Sequence, residues 1–231
     1  KNVMQIPKLE KIVISTGIGP DNIDIVINEL DALAHIDLKT KEIKAIGRTL
    51  NIVRIGTSGS VQADIPVDSF VISEKSIGCD GVLRFYANNE SVCDHPFEEA
   101  FIRHCRWTPS AARPYVVNAD PGLVDRLYDE EHTIKGVTLT AVGFYGPQGR
   151  VLRLPLAMPG INDRITAFRY EGYKVTNYEM ESAAITGLCN LLGHRAATIC
   201  LIIANRINGD ASADYHSYMN KLIRYTLEKL S

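Results

Sequence analysis

The sequence is short of the features that nucleic-acid and membrane proteins depend on. Its 25 lysines and arginines are outnumbered by 27 aspartates and glutamates, a formal net charge of −2. No basic stripe appears, so nucleic acid is not expected as a partner. No uninterrupted apolar run of about eighteen residues is present, so no membrane span is expected. The opening KNVMQIPKLEK has no apolar core of signal-peptide length, and a cytoplasmic location is expected. The five cysteines are an odd number, and Cys189 and Cys200 sit inside apolar segments as small core residues, which fits a reducing compartment. Cys93, His95, His104 and Cys105 supply metal-type ligands, but their spacing is not that of a zinc finger or knuckle. The stretch between them reads as an amphipathic helix, so no metal is expected.

What is present is an ordinary globular composition, 45% hydrophobic and 23% charged over 231 residues. That is enough for one large domain spanning 1–231 with a substantial core. Apolar strand patterns fall at 9–15, 50–55, 66–78, 136–143 and 196–205. Helical patterns fall at 22–34, 96–105, 121–132 and 213–230, with a short helix before 170. This alternation predicts an α/β fold, a central mixed and mostly parallel sheet flanked by helices. In such folds ligands bind beyond the carboxyl ends of strands. Four predicted strand ends are polar and mostly glycine-rich: STGIG, RIGTSG, FYGPQGR and IANR. Their convergence is what predicts a site.

The stretch 176–192, TNYEMESAAITGLCNLL, reads as a closely packed helix, because Met180, Ala183, Ala184, Gly187, Leu188 and Leu191 fall at helical spacings. Thr176 with Glu179 has the form of a capping box. Glu181 heads a face otherwise suited to burial. A carboxylate there needs hydrogen-bond donors, such as sugar hydroxyls, or else is a buried structural acid.

Arg54 lies inside an apolar strand and needs an anion, either an internal acid or an anionic substrate. With an anionic substrate, the Thr57 hydroxyl and the backbone N–H groups of residues 57–59 would suit phosphate. Gln148 offers a donor and an acceptor and Arg150 donors alone, so together they complement an imide edge such as that of uracil. Cytosine would place its amino donor against Arg150. Phe144 can stack on a base. Arg206 either closes this pocket or pairs with Asp210 or Asp214.

Taken together, STGIG (15–19), RIGTSG (54–59), FYGPQGR (144–150), NYEMES (177–182) and IANR (203–206) resemble uridine phosphorylases, within the trimeric and hexameric nucleoside phosphorylase superfamily. The resemblance runs from about residue 10 to 210 in the family's order. It implies reversible phosphorolysis of uridine to uracil and ribose 1-phosphate, in pyrimidine salvage. Arg54 and Thr57 would then bind phosphate, Met180 and Glu181 the ribose, and Phe144, Gln148 and Arg150 the uracil. Ser58, Gly59, Glu179, Ile202, Ile203 and Arg206 would surround the base. No cofactor is implied beyond phosphate as co-substrate, with a structural monovalent cation as an option. A homo-oligomer, a dimer or a trimer of dimers, is implied, with sites at subunit interfaces. Family members also carry a Gly-Asp-x-x-Arg phosphate motif near their start. No such motif opens this sequence, Gly209-Asp210 lying elsewhere. The family's first two strands and a helix, and with them a partner histidine that reaches the sugar, are therefore expected to be missing. The alternatives are a nucleosidase or purine-specific relative, or a non-catalytic uridine-binding member.

Overall fold

The computed structural model describes residues 11–15 and 19–231. Thr16, Gly17 and Ile18 of the predicted STGIG turn lie outside the described residues. The architecture is a single α/β domain: a nine-stranded mixed sheet with six α-helices among the described residues.

The sheet has two parallel halves. In one, β2 (Asn51–Ser60) pairs in parallel with β1 (Lys11–Ser15) and with β8 (Arg195–Asn205). In the other, β5 (Thr133–Thr140) pairs in parallel with β3 (Phe70–Gly78) and with β7 (Tyr173–Glu179). Two short antiparallel seams join them. One runs Phe70 to Ile72 against Ile199 to Leu201. The other sets Gly59 and Ser60 against Tyr178 and Asn177, so the carboxyl tips of β2 and β7 meet. These seams close β2, β7, β5, β3 and β8 into a ring. Three short strands, β4 (Tyr115–Asn118), β6 (Arg169–Tyr170) and β9 (Asp210–Ala211), extend the edges.

Helices cover the outside. α1 (Ile23–His35) and α5 (Ser182–Leu191) share one apolar cluster with Leu50, Ile52 and Ala196. α2 (His95–Cys105) and α4 (Ile161–Ala167) pack Phe97, Phe101 and Ile165 over β3, β5 and β7. α3 (Pro121–Leu127) and α6 (Tyr215–Leu230) contribute Leu123, Leu127, Leu222 and Leu230 to a third cluster. Asp94 and Asp120 cap α2 and α3, accepting from Phe97 N at 3.2 Å and Leu123 N at 2.9 Å.

Several sequence expectations change. The strand expected at 50–55 continues through the glycines to Ser60, because β8 pairs with it along its whole length, with a bulge at Ser58 and Gly59. Residues 57–59 are therefore strand rather than an open loop. The helix expected from 176 begins only at Ser182, and 176–179 belong to β7. Thr176 caps nothing: its hydroxyl donates to Val137 O at 2.9 Å across the sheet. α3 stops at Leu127, short of the expected 132.

Candidate functional site

The joined tips of β2 and β7 determine which side chains meet. Arg54 lies along β2 above Gly56, where an added Cβ would come 2.7 to 2.8 Å from the guanidinium. Glycine at 56 is what lets the side chain lie flat toward the tip. There Nη1 is 3.1 Å from Glu179 Oε2, and Nη2 donates to Glu181 Oε2. Nη1 also lies 3.2 Å from Cys200 Sγ on β8. Burial opposes the charge on Arg54, but Glu179, Cys200 and Glu181 more than offset it and hold the guanidinium above its ordinary pKa. Of the two anions weighed for Arg54, the structure supplies internal acids.

Glu179 is buried at the end of β7, opposite Thr140 at the end of β5. Its Oε1 accepts from the Thr140 hydroxyl at 2.5 Å. Its Oε2 accepts from the backbone N–H groups of Glu181 and Ser182, each at 2.8 Å, where α5 begins. Glu181 is the N-cap residue of α5, with its side chain 15% exposed. Burial pushes its carboxyl up, while Arg54 pulls it back. Met180 beside it is half-buried, as are Thr57 and Gly59 on β2. The Ser58 hydroxyl is buried with no hydrogen-bond partner among the described residues.

A second cluster forms around the loop after β5. Gln148 ends a 3-10 turn, Gly146–Gln148, and is buried. Arg206, just past β8, donates from Nη2 to Gln148 Oε1 and from Nη1 to Gln148 O at 3.2 Å. Its Cζ lies 4.4 Å over the Tyr178 ring. Arg206 thus turns to Gln148 and Tyr178 rather than to Asp210 or Asp214. Burial and nearby Arg150 pull its guanidinium down to about 10, which still leaves it charged at neutral pH. Its Nε is buried without a partner among the described residues, 3.4 Å from where a Cβ at Gly59 would stand. Glycine at 59 keeps that space open.

Arg150 stacks on Phe144, Cζ 3.7 Å from the ring centroid, so one face of that exposed ring is already covered. Ile203 is half-buried, but Ile202 is fully buried against Ile65 and Val71. Its side chain therefore belongs to the core and not to a ligand surface. A cavity of about 700 Å³ lies beneath the same loop, lined by Asp80, Trp107, Pro147, Arg150, Met158 and Ile161 among others. Its lining does not include Arg54 or either acid.

Four residues of these networks escaped the sequence reading: Thr140, Cys200, Tyr178 and Asn162. Asn162 Nδ2 donates to Gln148 O and Gly149 O at 3.1 and 3.2 Å, and its Oδ1 accepts from Tyr178 O–H at 3.2 Å. Only Tyr178, inside NYEMES, had a sequence signal. Elsewhere, Asp31, His35 and His194 bring three potential ligand atoms together. His194 Nδ1 accepts from Leu50 N at 3.2 Å, so the neutral ring carries its proton on Nε2, toward Asp31 Oδ1 at 3.1 Å. That tautomer leaves no ring lone pair for a metal.

The closed α/β sheet thus carries an acid–guanidinium cluster at the joined tips of β2 and β7 and an amide–guanidinium cluster at the loop after β5. A family model described as the phosphorylase superfamily matches residues 4–226, and the chain belongs to that superfamily. It is similar to a uridine phosphorylase of Thermococcus kodakarensis, 27% identical over 204 residues, covering 86% of this chain and 59% of that one. A shorter similarity, 36% over 87 residues and 33% of this chain, is to an inactive uridine phosphorylase B of Schistosoma mansoni, covering 26% of that protein. Among solved structures, a Trypanosoma brucei nucleoside phosphorylase that shows uridine phosphorylase activity superposes with a TM-score of 0.75 at 24% identity. It covers 93% of this chain and 78% of that one, and shows the shared fold. The chain spans about three fifths of the length of the curated relatives it matches.

No helix among the described residues is long and apolar enough to cross a membrane.

Proposed function

We propose that the protein cleaves uridine with phosphate, reversibly, giving uracil and ribose 1-phosphate for pyrimidine salvage. The observation that carries this reading is the pairing of two clusters at one end of the sheet: Arg54 with two acids, and Gln148 with Arg206 and Arg150. Phosphate oxygen attacks C1′ as the bond from C1′ to N1 of uracil breaks. The bonding electrons leave on the ring and spread to its carbonyl oxygens, and the uracil anion gains through solvent the proton that the new phosphate ester releases. With Gln148 Oε1 accepting from Arg206, the Gln148 amide N–H₂ and the Arg150 guanidinium are the donors left to meet that charge. Glu181 takes a sugar hydroxyl, and Arg54 Nη2 with Thr57 takes phosphate. No side chain acts as a nucleophile, so catalysis is placement and electrostatics.

Charge sets a condition. Arg54 faces two carboxylates, so a phosphate dianion is held there only when Glu181 turns to the sugar and further cations join from outside the described residues. A site at a subunit interface would meet that condition.

The donor-rich base cluster predicts the substrate. In phosphate buffer uridine is cleaved, with cytidine and inosine slower by about a hundredfold or more, because each leaves a buried group unpaired. Equal rates for cytidine or inosine would refute the assignment of Gln148 and Arg150.

A further inference from the structure

We infer that Glu179 is a positioning residue, which fastens Arg54 through Nη1 and touches no substrate, leaving Nη2 as the one donor an anion can take over. This rests on the reading of Arg54 as the phosphate arginine and departs from the expectation that Glu179 borders the base.

Both carboxylate oxygens of Glu179 are already engaged. Ala183 N–H donates to Thr140 Oγ1 at 2.9 Å, so the Thr140 hydroxyl proton points away from that nitrogen and toward Glu179 Oε1. Two backbone N–H groups occupy Oε2, and Arg54 Nη1 stands beside them at 3.1 Å. The carboxylate also sits at the amino end of the ten-residue α5, where the helix dipole favours a negative charge. A carboxylate held by three hydrogen bonds and an ion contact, its side chain 1% exposed, does not reach a base or a sugar.

Glu181 contrasts with it. Its side chain is 15% exposed, and Arg54 is its ion-pair partner among the described residues. It is free to turn, whereas Glu179 is not. On the arginine, Nη1 is committed to Glu179 and to the Cys200 sulfur, whose thiol burial pushes up to about 11 and so keeps neutral. Among the described residues Nη2 faces the movable acid. The clamp therefore fixes which guanidinium nitrogen meets the incoming anion, and Thr140 fixes the clamp.

The test is steady-state kinetics and calorimetric phosphate binding on the full-length protein and the variants Glu179→Gln, Thr140→Val and Thr140→Ser. The expected result is a phosphate KM at least about tenfold higher in Glu179→Gln, with the uridine KM at saturating phosphate unchanged within about twofold. Thr140→Val shifts the phosphate KM the same way by a smaller factor, and Thr140→Ser, which keeps the hydroxyl, restores it. Loss of kcat with both KM values unchanged would mean a merely structural role and overturn the inference. A raised uridine KM with an unchanged phosphate KM would place Glu179 on the base and also overturn it, while leaving phosphorolysis intact. If the wild-type protein turns over no uridine, the functional reading fails. The calorimetry then decides the clamp separately: weaker phosphate binding in Glu179→Gln supports it, and equal or absent binding in both proteins overturns it.

Discussion

Replacing Arg54 with methionine separates an arginine reserved for substrate from one that also holds the fold. Methionine keeps most of the apolar stem and removes the charge. If Arg54 were an unpaired cation awaiting an anion, its loss would leave stability unchanged or raise it, as commonly happens at strained functional sites. Instead it neutralises two acids, one of them with a side chain 1% exposed. Breaking a buried ion pair from one side costs about 3–5 kcal/mol. Glu181 is the less buried of the two acids, so the cost falls mainly on Glu179 and lies near the lower bound, about 3 kcal/mol. For a domain of this size 1 kcal/mol moves Tm by about 2–4 °C, so Tm should fall by about 6–12 °C. The deficit has a definite pH dependence. Burial already pushes the Glu181 carboxyl up, and Arg54 is what pulls it back. Without Arg54 the folded variant binds a proton more readily than its unfolded chain, so its stability rises as pH falls, and the deficit at pH 8 narrows by pH 5.5. Thermal unfolding followed by circular dichroism at both pH values measures this. A variant that unfolds at or above the wild-type temperature at pH 8 would refute the account of Arg54.

Two further predictions concern the frame around the site. An alanine at Gly187 would place its Cβ 2.3 Å from Leu83 Cδ1 in a fully buried contact between α5 and the 3-10 turn Val82–Phe85. Overpacking of about 1–3 kcal/mol, partly offset by up to about 1 kcal/mol of helix propensity, should lower the urea midpoint with the slope m unchanged; an unchanged midpoint would mean that Leu83 has room to move. His194 is buried and neutral, and burial holds its pKa below the ordinary value, with Asp31 and the stacked His35 as its charged or titratable neighbours. The unfolded chain therefore takes up a proton below about pH 6.5 that the folded chain resists, and stability falls as pH drops through that range. His194→Asn, which keeps an acceptor for Leu50 N–H, should show a shallower loss of Tm between pH 7 and 5.5; an identical slope would acquit His194.

The parts of this structure legible in the sequence are those set by local pattern. β8 was readable because AATICLIIAN is a nearly continuous apolar run, and α6 because its apolar stripe has helical period. The segment 176–192 misled because two signals coincided. The small apolar residues that define α5 start at Ser182, and Thr176 with Glu179 happens to satisfy a capping-box spacing while lying in β7. What decided between strand and helix there was the pairing of β7 with β5, a contact across 39 residues that no local window holds. The same limit applies to the site. A buried guanidinium demands an anion, so the sequence named Arg54 correctly but left open which anion. The answer came from the tip-to-tip seam of β2 and β7. Thr140 and Cys200 were invisible for the same reason, being ordinary strand residues until the closed ring brings them to Glu179 and Arg54. Ile202 erred in the other direction: its residue type suited a base pocket, but its side chain packs into the core.

The central claim is that phosphate, not water, takes the sugar. The most direct measurement is phosphorus NMR on uridine incubated with the full-length protein, with and without inorganic phosphate. The account predicts a ribose 1-phosphate resonance growing in step with uracil when phosphate is present, and no uracil when it is absent. Uracil appearing with free ribose and no new phosphorus resonance, at the same rate in both samples, would contradict it.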